Sequence, residues 1–143
     1  MRINLAILAA TVLVALAGCN GPSATTVNIS AAGSFDMNGG APVKVKVFYL
    51  KSAGNFASTD FFALFNKGSE TLGENLLGTD DIQMVPGKTT NKTRSLATEP
   101  TAVGVVAAFR DIGEARYSAV RRISPGQEND LKVIVSRNSV SIR

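Results

Sequence analysis

The stretch Pro42-Val43-Lys44-Val45-Lys46-Val47-Phe48-Tyr49-Leu50-Lys51 decides how this chain folds. Its first half alternates with a period of two. Val43, Val45, Val47 and Tyr49 share one face, and Lys44 and Lys46 share the other, which is the pattern of a strand with one side in a core and one in water. Phe48 and Leu50 break the alternation and make the far end apolar on both faces. Such a strand needs one partner layer along its whole length and a second cover over its end alone.

The next twenty residues supply a candidate cover. Ser58 or Thr59 can cap a helix with Asp60 in its first turn, and Phe61, Leu64 and Phe65 fall at i, i+3 and i+4. The spacing predicts a helix of about two turns, too short to persist without packing. Glu70 to Leu77 reads as a second, weaker helical segment, interrupted by Gly73.

Strand signals then return. Asp81 to Val85 ends at the turn pair Pro86-Gly87. Thr89 to Leu96 is polar and β-branched, as an edge strand is. Thr101 to Phe109 is almost continuously apolar and reads as a central strand buried on both faces. Arg116 to Ile123, Leu131 to Val135 and Ser139 to Ile142 complete the set, with Asn138 suited to a left-handed turn before the last. Upstream, Val27 to Ala31 alternates as a first strand. The residues between it and Pro42 form a Gly-rich loop that carries two large apolar side chains, Phe35 and Met37. About eight short strands with one helical insertion between the second and third argue for an antiparallel β-sandwich.

The N-terminus carries a different signal. Arg2 is followed by an apolar run from Leu5 to Leu16, broken only by Thr11, and then by Ala17-Gly18-Cys19. Charge, apolar stretch and small residues in that order form an export signal too short to span a bilayer. Leu-Ala-Gly-Cys matches the lipobox of bacterial lipoproteins. It predicts removal of residues 1–18 and acylation of Cys19, the only cysteine and hence not half of an internal disulfide. Asn20 favours the outer membrane. Residues 19–26 then read as the lipidated cysteine and a short polar tether, and 27–143 as the folded domain.

Composition removes several chemistries. The chain has no His, so it lacks the usual general base, proton shuttle and metal ligand. With Cys19 spent on lipid, Cys/His zinc sites and Ser-His or Cys-His nucleophiles are absent. No cofactor is expected. The net charge of +4 is scattered, and the longest basic run is Arg121-Arg122, so no nucleic-acid stripe exists. Asp80-Asp81 is the only adjacent carboxylate pair, and neighbours on a strand point to opposite faces. Arg116, Arg121 and Arg122 read as a solvated strand face in preference to a basic interaction surface. Phe35 and Met37 leave two readings open: a lid folded over a sheet end, or a patch offered to a partner.

Taken in order, the segments resemble a known family, the outer-membrane lipoproteins of type VI secretion (TssJ, SciN-like). Pro42 to Lys51 is similar to that family's second-strand motif. Phe56 and Asp60-Phe61-Phe62-Ala63-Leu64-Phe65 are similar to its helix. Leu72-Gly73-Glu74-Asn75-Leu76-Leu77, Val85-Pro86-Gly87 and Val103-Gly104-Val105-Val106-Ala107-Ala108-Phe109-Arg110 come next, in the family's order. The resemblance spans roughly residues 40–142. It departs at Arg116-Tyr117, where the family often has Trp-Arg, and in a short loop before Pro42.

The resemblance implies a transthyretin-like β-sandwich and a non-catalytic role. It implies a lipoprotein on the periplasmic face of the outer membrane, binding the periplasmic C-terminal region of TssM within a complex that includes TssL. In that family the loop between the first two strands is implicated in the contact. Here the loop holds Phe35, Asp36, Met37, Asn38, Gly39 and Gly40, which favours the partner reading. A pilotin-like escort of a secretin and a small-molecule-binding or hydrolytic lipoprotein are the alternatives.

Overall fold

The computed structural model describes residues 23–97 and 99–143. The lipobox and Cys19 lie outside the described residues. Eight strands run in chain order: β1 (Thr25–Gly33), β2 (Val43–Leu50), β3 (Leu76–Met84), β4 (Thr89–Leu96), β5 (Ala102–Ala107), β6 (Ser118–Arg122), β7 (Glu128–Val135) and β8 (Val140–Ile142). One helix, α1 (Phe61–Leu72), lies between β2 and β3. The strands form two four-stranded sheets, ordered β4-β1-β7-β8 and β3-β2-β5-β6. This is the expected sandwich, with one refinement. The pair β1 and β7 runs parallel, while the other named pairs are antiparallel.

The double character of β2 organises both layers. Val43, Val45, Val47 and Tyr49 are buried between the sheets with Val27, Ile29, Val103, Val105 and Val133. Phe48 and Leu50 emerge on the other side of the same sheet and are buried in a second cluster with Phe56, Phe61, Leu64 and Leu72. The insertion between β2 and β3 is therefore the cover that the strand's apolar end requires. Lys46, between the two regimes, spans both. Its Nζ donates to the Phe65 carbonyl at 3.0 Å and sits 5.0 Å from the Phe65 ring centroid. Among the described residues, every buried apolar side chain lies between Val27 and Val140.

The helical insertion differs from expectation in three ways. Asp60 is itself the cap, accepting from the Ala63 N–H at 3.1 Å, while Ser58 and Thr59 donate to the Asn55 carbonyl instead. The second helical segment is shorter than expected: its residues Glu70 to Leu72 end α1, a 3-10 turn covers Gly73–Asn75, and only Leu76 and Leu77 leave the helical run. α1 continues through an irregular Lys67 (φ −131°, ψ 36°) to Leu72 and stops at Gly73, φ +54°. Leu76 then opens β3 opposite Leu50, and the register shifts past Leu77 before Gly78 meets Tyr49, because pairing with β2 is worth more to the segment than another short helical turn. β1 and β7 also extend beyond their alternating cores. Asn138 is not left-handed; among the described residues the one non-glycine with positive φ is Asn38.

Gly104 shows how closely the insertion is seated. Phe56 lies over β5, and a Cβ on Gly104 would come within 2.5 Å of the Phe56 ring. Phe56 in turn meets Phe48 edge-on at 5.3 Å between centroids. Gly104→Ala should lower unfolding free energy by about 1–3 kcal/mol, read from the urea midpoint at unchanged slope.

Candidate functional site

Strand direction divides the sandwich into two poles. The chain comes in at Ser23, beside the β6–β7 turn, where the Gly126 N–H donates to Thr25 Oγ1 at 2.8 Å and the Thr26 N–H to the Gln127 carbonyl at 3.0 Å. β1 then carries it the length of the domain, roughly 26 Å at about 3.3 Å per residue. The β1–β2, β3–β4, β5–β6 and β7–β8 connections all lie at that far pole. The loop singled out in the sequence is therefore at the end of the domain opposite the N-terminal segment.

Three neighbouring loops hold this loop in place. Gly33 exchanges backbone bonds with the β3–β4 turn: its N–H donates to Lys88 O and its carbonyl accepts from the Gly87 N–H, both at 3.0 Å. The Ser34 N–H donates to Val135 O at 2.9 Å. Asn38 forms the hub. Its N–H donates to Arg137 O at 2.8 Å, its Oδ1 accepts from the Arg110 N–H at 2.8 Å, and its Nδ2 donates to Pro42 O at 3.3 Å. The left-handed backbone at Asn38 (φ +50°) lets one side chain serve two connections, and Asn tolerates that conformation better than most residues. Gly39 and Gly40 continue the left-handed run at φ +67° and +85°.

The structure separates the two apolar residues that the sequence paired. Met37 is fully buried and belongs to the sandwich core, with its sulfur against Gly33 where a Cβ would leave it no room. It plugs the far end of the sandwich and is not an exposed anchor. Phe35 is 84% exposed, its ring lying over Gly87 of the Pro86-Gly87 turn, with the exposed Val85 next along that chain. No sequence signal separated them, because both precede the same glycines. Register does it: Gly33 ends β1, and the turn sends residue 37 back inward.

Asp36 is the loop's charged group. Its carboxylate accepts from Ser34 Oγ at 2.6 Å and lies 3.4 Å from Arg137 Nε. The Ser34 bond holds its pKa below the ordinary carboxylate value; desolvation opposes it, and the Arg137 guanidinium adds to the lowering. Because the folded pKa is depressed, the contact persists at ordinary pH and is lost only as pH falls through that lowered value. A shallow cleft of about 260 Å³ opens beside the loop, lined by Asn38, Gly39, Phe109, Arg110, Asp111 and Arg137.

The remaining candidates resolve as structure. Asp80 and Asp81 do point to opposite faces. Asp81 meets Lys44 in solvent at 3.3 Å. Asp80 turns inward, accepting from Tyr49 OH at 2.9 Å and from Arg94 at 3.0 Å, with Lys92 at 3.7 Å. Burial, then the Asp80 bond, raises the Tyr49 pKa, so the phenol stays protonated. This cluster joins β3 to β4 across the two sheets. Among the described residues, no group of three or more His, Cys, Asp or Glu could hold a metal ion.

A family model described as "Type VI secretion lipoprotein, VasD, EvfM, TssJ, VC_A0113" matches residues 25–138. The chain belongs to this family. The T6SS lipoprotein TssJ1 from Pseudomonas aeruginosa is similar in structure at TM-score 0.77 and 26% identity, over 84% of this chain and 95% of that one. Serratia marcescens Lip, a membrane-bound type VI component, superposes at TM-score 0.75 and 20% identity, over 82% and 96%. A chain from the structure of the EAEC TssM C-terminal domain matches at TM-score 0.66 and 20% identity, over 82% and 97%. These last two support the fold. Comparison with curated proteins finds no match. A type VI secretion lipoprotein with the helix between β2 and β3 is thus the frame for the far pole.

Two substitutions test the architecture of that pole. Met37→Ala should cost about 2–5 kcal/mol in chemical denaturation, whereas Phe35→Ser should stay within about 0.5 kcal/mol of the parent. Asn38→Ala should cost about 1–3 kcal/mol and speed amide exchange at Arg110, an effect Asn38→Gly reproduces although glycine relieves the backbone strain.

Proposed function

We propose that this lipoprotein is a non-catalytic anchor of the type VI membrane complex. In this reading it is acylated at Cys19, sits on the periplasmic face of the outer membrane, and binds the periplasmic C-terminal region of TssM through its far pole. The observation that carries the reading is polarity. Ser23 and the loop of Phe35 lie at opposite ends of the sandwich, and family membership supplies a membrane complex to be joined.

The mechanics depend on reach. Ser23 is four residues from Cys19, so the tether extends at most about 14 Å. That keeps the N-terminal pole near the lipid and directs the far pole into the periplasm. Three acyl chains, each contributing about 0.8 kcal/mol per buried methylene, make release negligible. At the other end, Phe35 is a large apolar side chain on a loop already fixed by Asn38, Gly33 and Ser34. Little ordering entropy remains to be lost on binding, and an aromatic anchor on a rigid base suits a small hot spot. Asp36, Arg110 and Arg137 supply a polar rim. No step in this reading makes or breaks a covalent bond, and the lack of His fits it.

Calorimetric titration of the purified domain with the TssM C-terminal region tests the loop. Phe35→Ser should weaken binding by about tenfold or more at unchanged melting temperature. Unchanged affinity would reject the loop as the interface. In cells, Cys19→Ser should move the protein from the membrane fraction to the soluble periplasm, and retention in the membrane would reject the lipid anchor.

A further inference from the structure

Gly39 follows Asn38, and that dipeptide has a chemistry of its own. The main-chain nitrogen after an asparagine can attack the side-chain carbonyl carbon and close a five-membered ring. A glycine in second place has no side chain to hinder that approach. The step balances without a cofactor. The Gly39 nitrogen gives its proton to solvent base and bonds to Asn38 Cγ, the Cγ–Nδ2 bond breaks, and ammonia leaves. Water then opens the ring at either carbonyl. Opening at Cγ gives aspartate. Opening at the main-chain carbon gives isoaspartate, the usual major product, in which the main chain runs through the former side chain.

The folded loop opposes each requirement of this step. Ring closure needs the Gly39 nitrogen beside the Asn38 Cβ, eclipsed with it about the Cα–C bond. At ψ 36° the nitrogen lies nearly opposite Cβ, so that bond must rotate by close to a half-turn. The Gly39 N–H is engaged with Asp36 O at 3.2 Å. The Asn38 carboxamide is held at both ends, by the Arg110 N–H at 2.8 Å and by Pro42 O at 3.3 Å. Its own N–H is held by Arg137 O at 2.8 Å, and the buried Met37 pins the residue before it. Water is not what the loop excludes, since Gly39 and Gly40 are exposed and Asn38 is half-buried. Geometry alone withholds the reaction, and geometry is lost whenever the loop opens.

We propose that Asn38 is a deamidation site that the folded loop holds closed and that reacts only through local opening of the far pole. Among the described residues it is the only asparagine followed by glycine. Conversion is not reversed by refolding, and its major product removes the hub of the loop. In isoaspartate the carboxamide that joins Arg110 to Pro42 is gone, and the main chain is one carbon longer between Met37 and Gly39. The β1–β2 loop then loses its tie to the β5–β6 connection and with it the fixed base beneath Phe35. A transient opening thereby becomes a permanent one. The inference does not depend on what the far pole binds.

The test uses the chain from Cys19 onward with Cys19→Ser, which retains the whole described core, and with Asn20→Ser, which removes the chain's other Asn-Gly pair. Folded protein and protein unfolded in guanidinium chloride are incubated side by side at mildly alkaline pH. Peptide mapping by mass spectrometry reads the amide-to-acid change at Asn38, and labelling by isoaspartyl methyltransferase reads the rearranged product. The unfolded chain should convert at Asn38, and the folded chain about a hundredfold more slowly. Met37→Ala loosens the loop without touching the dipeptide. It should speed conversion of the folded chain, and amide exchange at Arg110, by about tenfold or more. Phe35→Ser should leave the rate unchanged. The isoaspartate form, isolated by ion exchange, should melt at a lower temperature and exchange the Arg110 amide faster than the parent. The proposal is overturned if the folded chain converts as fast as the unfolded one, or if neither converts. It is equally overturned if Met37→Ala leaves the rate unchanged, or if the isoaspartate form keeps the parent's melting temperature and Arg110 exchange.

Discussion

The fold depends on the two-sided burial of β2. Its inward row of Val43, Val45, Val47 and Tyr49 commits one face to the gap between the sheets. Its outward Phe48 and Leu50 cannot be left in water, since each large apolar side chain exposed would forgo about 1.5–3 kcal/mol. The chain answers with the segment directly after them, laying Phe56, Phe61 and Leu64 over both. The insertion is thus a third layer of the core, required by the apolar end of one strand. Gly104 and Gly68 are the points where it meets the sheet, against Phe56 and Phe48 respectively.

The same economy fixes the far pole. Four connections converge there, and connections between strands ordinarily move more than the strands. Here Met37 is sunk into the end of the core and Asn38 ties the β1–β2 loop to the β5–β6 and β7–β8 connections. What remains exposed, Phe35 above all, is presented on a fixed base. Among the described residues the N-terminal pole has no comparable apolar projection; it carries Ser23, packed against the turn at Gly126. The N-terminal segment and the exposed loop are separated by the length of β1.

Much of this was legible from residue patterns, because period-two alternation survives wherever a strand has one wet face. β2 and β4 were found at their observed bounds, and β5 was recognised as central from an unbroken apolar run. The misreadings of strand bounds share a cause. Leu76 and Leu77 sit at helical spacing from Leu72, yet the strand that pairs with β2 claims them. Thr26 and Glu128 to Asp130 show weak alternation, yet the parallel pairing of β1 with β7 extends over them. Long-range pairing decides such residues, and no local pattern carries it. The site was legible as a loop but not as a geometry: Phe35 and Met37 are the same class of residue two positions apart, and only the turn at Ser34 to Asn38 sends one outward and one in.

A pole that receives the N-terminal segment, a fixed loop at the opposite end, and membership of the type VI secretion lipoproteins combine into one anchoring device under the proposed function. Amide hydrogen exchange across the whole domain, with and without the periplasmic C-terminal region of TssM, is the decisive measurement. Added protection should centre on the far pole, in the β1–β2 loop from Ser34 to Ala41 and the adjoining turns at Val85 to Lys88 and Arg110 to Asp111. Protection confined to the N-terminal pole, around Thr25 and Ser124 to Gln127, with the far pole unchanged, would refute the anchoring geometry.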